Sequence, residues 1–170
     1  MGKSPAAIDG KRFLDDEPYV EGEAGEGLTP GELVEQTGTT SDGTPILAPV
    51  DSVDKTDAEV MLVEVPSTPP LRNADTTTDP IDDTITSGTV VQAMVLRSGD
   101  TAQNALLASG TDLSAAADAD ISAGDVLGSY SDGSLKATTT AGAGLLVATE
   151  AVDNSGAAAG ERARINVRRI

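Results

Sequence analysis

The sequence predicts a mainly β protein: a small β-barrel or sandwich-like domain with two hairpin pseudo-repeats, one short helix and an extended N-terminal arm. Three observations carry this. Short runs rich in Val, Ile, Leu and Thr alternate with Gly-, Asp- and Pro-containing turn signals along most of the chain. A Gly-acid-apolar-apolar segment followed by Ser-Asp-Gly occurs twice, as Gly31-Glu32-Leu33-Val34 with Ser41-Asp42-Gly43 and as Gly124-Asp125-Val126-Leu127 with Ser131-Asp132-Gly133. Only one stretch, 101–108, has helical character.

Residues 1–30 read as the arm. They are acidic, rich in Gly and Pro, and have no period of 2 or 3.6, so alone they would not fold. Phe13, Leu14, Tyr19 and Val20 are spaced like anchors along an extended segment; the other reading is a disordered tail. The β-rich domain spans 31–170. "GELVEQT" and "TPILAPV" flank an Asp-Gly hairpin signal. In "AEVMLVEV" (58–65), Val60, Leu62 and Glu64 face one way and Met61, Val63 and Val65 the other. Residues 66–87 hold four prolines among many Thr and Asp, which marks a long surface excursion. A strand resumes at 88–97, and the helix falls at 101–108. After a polar connection, "DVLGSYS", "SLKATTT", "AGLLVATEAVD" and "RARINVRRI" form four short strands with barrel-like spacing. The repeat implies two copies of one supersecondary unit, set against coincidence, since Ser-Asp-Gly is common in turns.

Composition limits the function. The chain has no His, Cys or Trp, and its aromatics are Phe13, Tyr19 and Tyr130. Its core is therefore thin and aliphatic, and oligomerisation is one remedy for that. Acidic residues outnumber basic ones 28 to 11, for a net charge of −17, which disfavours nucleic-acid binding. Scarce Lys with abundant Asp, Ala, Thr and Gly fits a protein built for high salt. No apolar run reaches the roughly 18–20 residues of a membrane span, and no long apolar leader is expected at the start.

The same composition excludes Ser-His-Asp and Cys-His catalysis, and no phosphate-cradling glycine motif occurs. Lys136 sits on an exposed-looking strand position. Carboxylate pairs (Asp15-Asp16-Glu17, Asp82-Asp83, Asp118/Asp120) are expected in so acidic a chain without any catalytic role. No enzyme and no cofactor are expected. The one candidate ion site is Asp118 with Asp120, which begin like a calcium loop that fails at Ala123 and Ser129. Incidental Mg²⁺, Ca²⁺ or Na⁺ binding there is set against a solvated acidic face.

The C-terminus breaks the charge pattern, with four of the seven arginines in the last nine residues. As a strand, Arg162, Arg164, Asn166 and Arg168 share one face and Ala163, Ile165 and Val167 the other. The arginines either meet acidic protein, in a neighbouring subunit or the chain's own arm, or guard a sheet edge.

The segments "VQAMVLRSGDTAQNALLASG", "ISAGDVLGSYSDGSLK", "AGLLVATEAVD" and "RARINVRRI", with "EGEAGEGLTPGELVEQTGTTSDG" before them, resemble a family of small head-structural proteins of tailed viruses. The resemblance covers 18–65 and 88–170; the 66–87 segment departs from it. It implies a capsid decoration protein on the virion exterior, commonly trimeric, cementing neighbouring capsomers after assembly in the host cytoplasm. The implied partners are the major capsid protein and further copies of the chain, with neither nucleic acid nor membrane. The arm residues Phe13, Leu14, Tyr19 and Val20 would then touch the capsid, and Arg162, Arg164 and Arg168 a neighbouring subunit. With the acidic composition, the source looks like a virus of a halophilic archaeon. The alternative is an adhesin-like surface module presenting 66–87.

Overall fold

In a computed structural model, which describes residues 19–56, 59–64 and 80–170, the repeat is larger than a hairpin. Strands β1 (Tyr19–Ala24), β2 (Leu33–Thr39), β3 (Pro45–Pro49), β4 (Met61–Val63) and β5 (Val90–Val95) close a barrel in the order β1-β3-β2-β4-β5. The second half contributes β6 (Thr101–Leu107), β7 (Asp120–Ile121), β8 (Val126–Ser129), β9 (Leu135–Ala137), β10 (Leu146–Ala148), β11 (Val152–Asp153) and β12 (Ala163–Arg169). There β6-β9-β8-β10-β12 close a second barrel, and β7 pairs with β11 beside it. The two rings have one topology. In each, the first strand runs parallel to the third (β1 with β3, β6 with β9), and all other neighbours are antiparallel.

The two sequence repeats are the equivalent hairpins β2–β3 and β8–β9. Strand β2 is seven residues and β8 four, which accounts for the longer gap in the first copy. Each hairpin is entered by the same turn. The N–H of Glu32 donates to Thr29 O and that of Asp125 to Ser122 O, both at 3.1 Å. The carboxylates reach back to accept the N–H of Thr29 (2.9 Å) and of Ser122 (2.8 Å). Arg97–Asp100 before β6 and Ala158–Glu161 before β12 repeat the device. The glycine at the third position of each of these four turns has φ between +78° and +97°.

Three expectations are corrected. The helix expected at 101–108 is strand β6. Its buried Ala102 and Ala105 are three apart, which imitates a helical face. The spacing comes from a bulge: Ala102 and Ala105 oppose Val167 and Ile165, which are two apart, and Asn104 absorbs the extra residue with φ +61°. Of the arm expected at 1–30, residues 19–24 instead form β1, and Leu28 is fully buried, exchanging backbone bonds with Ile85. The inward face of β1 is Val20, Gly22 and Ala24; Gly22 hides the alternation, and a Cβ there would meet Leu47 Cγ at 2.8 Å. The end of the 66–87 excursion also belongs to the barrel, through a 3₁₀ turn at Pro80–Asp82 and the buried Ile85. Residues 1–18 and 65–79, with Phe13 and Leu14, lie outside the described residues.

The cores are aliphatic, as the composition requires. Ala24, Leu28, Val34, Leu47, Met61, Val63 and Val91 fill the first barrel. A larger cluster fills the second barrel and continues across the junction to Leu33, Val50, Val60, Leu62 and Leu96. Strand β4 and the start of β2 (Leu33, Val34) are thus buried on both faces, with the alternation along Val60–Val63 that the sequence indicates. The turn Tyr130–Ser134 docks against this wall: Leu33 N–H donates to Gly133 O (2.7 Å) and Gly133 N–H to Val50 O (3.1 Å). The equivalent turn of the first hairpin, Thr40–Thr44, is exposed, with nothing within 4 Å of a Cβ placed on Gly43.

This asymmetry sets a comparison between equivalent glycines. Gly43→Ala meets only the strain of its φ of +91°, a cost of about 1 kcal/mol. Gly133→Ala adds a Cβ 2.8 Å from Leu33 O, and the total is expected at about 3 kcal/mol or more. Chemical denaturation of the two variants checks the order; equal losses would mean that the turn does not bind the barrels together.

Candidate interaction surfaces

The C-terminal strand presents its apolar face inward, with Ile165 and Val167 fully buried. The candidate arginines Arg162, Arg164 and Arg168 lie on its other side, and two of the three are engaged within the chain. Arg162 Nη1 lies 2.6 Å from Glu32 Oε1, and Nη2 donates to Thr29 Oγ1 at 3.1 Å. Glu32 is 3% exposed, so its charge requires this partner. Arg164 donates to the carbonyls of Pro30, Ile81 and Asn104 and to Asp82 Oδ1 (2.9 Å). Arg162 and Arg164 thus each pair within the chain, with Glu32 and with Asp82. Arg168 is exposed.

A second polar seam corrects the exposed reading of Lys136, which is 7% exposed. Its Nζ lies 3.0 Å from Asp54 Oδ1, out of line for a hydrogen bond, so the contact is an ion pair. Asp54 Oδ2 accepts from Thr140 Oγ1 at 2.9 Å. Burial pushes the Asp54 carboxyl up, but Lys136, Thr138 and Thr140 together hold it below its ordinary value. Ser129, fully buried on β8, donates to Ser52 O (2.7 Å) and accepts the Lys55 N–H (2.9 Å). The segment after β3 is thereby stitched to the second barrel. Sequence reading missed Glu32, Asp54, Lys136 and Ser129 as junction residues.

Between the barrels lies a cleft of about 300 Å³ lined by Pro30, Leu62, Glu64, Ile81, Met94 and Asn104 among others. Arg164 fastens the carbonyls of three of these residues. Burial raises the Glu64 carboxyl, against a hydrogen bond from Tyr19. Val20 packs against the first core, so neither Tyr19 nor Val20 belongs to a free arm. Asp118 is half-buried in a 3₁₀ turn, and Asp120 is exposed at the start of β7, opposite Asp153. Among the described residues, no three His, Cys, Asp or Glu side chains gather as a metal site requires.

Breaking either junction pair leaves a buried charge. Arg162→Met should destabilise the fold by about 3 kcal/mol, and Glu32→Gln paired with it should recover part of the loss. Denaturant midpoints of the single and double variants measure this, and a silent Arg162→Met would remove the pair from the account. The carboxyls of Asp42, Asp54, Asp112 and Asp153 lie below their ordinary values, the first through a hydrogen bond from Thr40, the last two through Ser109 and Ser155, and Asp54 as described. Their stabilisation is present above the unfolded value of about 3.9 and is lost as pH falls through the folded values. Glu64 opposes this, since its contribution is lost as pH rises through its raised value. Melting temperature should therefore drop below about pH 4, and Asp54→Asn should be less stable at neutral pH with a shallower acid decline. An unchanged acid decline would contradict the Asp54 assignment.

No protein-family model matches the sequence, and no curated protein matches it. Among solved structures, the chain is similar to the N base of head fiber gp8.5 of bacteriophage phi29, with a TM-score of 0.55 and 12% sequence identity over 89% of this chain and 92% of that one. At this identity the likeness is one of fold, and it takes in both barrels.

Proposed function

We propose that this chain is a structural protein of a tailed-virus virion, seated on the outer face of the icosahedral head, where it decorates and stabilises the assembled capsid. The observation that carries this reading is the fold likeness to a phage head fiber base over nearly the whole of both chains. The resemblance of its strand and turn motifs to head decoration proteins points the same way.

The physical character of the chain suits that role. Its buried side chains are aliphatic, with no aromatic among the fully buried residues described, so association with a capsid or with further copies adds burial that the thin core lacks. On this reading the protein works as a trimer, by contact rather than catalysis, and its main partner is the major capsid protein. The −17 charge fits a virus of a high-salt host, where carboxylates hold surface water and their repulsion is screened. Capsid attachment falls to residues 1–18, including Phe13 and Leu14, since 19–30 are committed to the first barrel.

Purified protein should bind assembled heads saturably and free capsid subunits weakly. Deleting residues 1–18 should lower head affinity at least about tenfold while shifting the melting temperature by less than about 4 °C. Co-sedimentation with heads and a thermal melt give both readings. Heads that neither bind the full chain nor gain heat resistance from it would refute the role, and undiminished binding by the truncated chain would refute the attachment segment.

A further inference from the structure

Among the described residues, seven are Lys or Arg, and six of them have a polar partner: Lys55, Arg97, Lys136, Arg162, Arg164 and Arg169. The seventh, Arg168, is exposed and has none. In a chain of net charge −17, a cation with no polar partner among the described residues is a distinctive surface feature. Its setting is apolar. Val147 is the cross-strand partner of both Arg168 and Val126, which places the three side by side on the outer face of the second barrel. Val126 is 38% exposed, and Ile170 adjoins it across Gly144, where a Cβ would sit 2.6 Å from Val126 Cγ1 and 3.4 Å from Ile170 Cδ1.

The first barrel carries a face of complementary charge. Strand β1 corresponds to β6 and β5 to β12, and the outer face of β1–β5 sets Glu23 opposite Val90 and Glu21 opposite Gln92. Val90, at 61%, is the most exposed large hydrophobic residue described. Neither Glu21 nor Glu23 has an ion pair or side-chain hydrogen bond among the described residues. The outer faces of the two barrels thus bear charges of opposite sign, each beside an exposed valine.

We infer that copies of this chain associate head to tail, with the Arg168–Val126–Val147 face of one seated on the Glu21–Glu23–Val90 face of the next. Such a contact is heterologous, and it gives a ring when the rotation between copies closes. An arginine set between Val147 on one side and Thr101 on the other, with the exposed Val126 beyond Val147, suits an interface centre, and the flanking carboxylates on the partner supply its counter-charge. The inference rests on the self-association proposed above and names the surfaces that would carry it.

The test is sedimentation equilibrium of the full chain and of three variants, each checked for folding by circular dichroism. Arg168→Glu alone, and Glu21→Arg with Glu23→Arg, should each raise the dissociation constant at least about tenfold. All three changes in one chain restore the charge match and should return it to within about threefold of the wild type. A wild-type chain that stays monomeric overturns self-association and this inference together. A wild-type oligomer that Arg168→Glu leaves intact overturns the assigned face alone, as does a folded triple variant that stays dissociated. Normal association of Arg168→Glu with lost binding to heads gives the face to the capsid instead and likewise overturns it.

Discussion

Strand β4 and the opening of β2 at Leu33-Val34 are buried on both faces, and the rest of the chain is arranged around that fact. Leu33 and Leu62 point into the cluster shared with the second barrel, while Val34, Met61 and Val63 point into the first. A strand buried on both sides needs partners on both sides, and one five-stranded barrel covers only its interior. The second barrel supplies the other layer. Neither half is expected to be stable alone, because each would expose part of an already thin aliphatic core. The repeated hairpins meet at this wall, with the Asp132-Gly133 turn of the second packed on the strand that opens the first. Two units of one topology thus form a joint in which they play different parts.

The polar groups at the junction add direction to that apolar contact. Glu32 closes its turn by accepting the Thr29 N–H and then pairs with Arg162 from the far end of the chain. Lys136 and Asp54 do the same across the other side. Buried pairs of this kind contribute little net stability, but losing one partner is costly, so they favour a single docking geometry over its alternatives. A rigid junction suits a protein whose proposed task is to hold fixed positions on a capsid. In such a role, shape carries the function, and the absence of His and Cys is no handicap.

Much of the architecture was legible in the sequence, for physical reasons that can be named. Gly-acid and Asp-Gly pairs announced turns because positive φ and a carboxylate reaching backbone N–H groups are local requirements. The alternation through Val60–Val63 was legible because both of its faces are apolar. Strand β1 was hidden, since Gly22 shows no side chain where the inward face needs space. Strand β6 was misread because a bulge gave its alanines helical spacing. The junction was illegible: Arg162 and Glu32 are 130 residues apart, and Lys136 reads as exposed until its partner from the other half is in place. Local chemistry was readable from the chain, whereas contacts that only the completed fold creates were not.

The central claim is that this protein occupies the outside of a viral head, and direct imaging tests it most plainly. Electron microscopy of heads assembled with and without the protein should reveal regularly spaced protrusions on the outer surface in the first sample, missing from the second. Identical head surfaces in the two samples, with the protein left in the supernatant, would contradict the account.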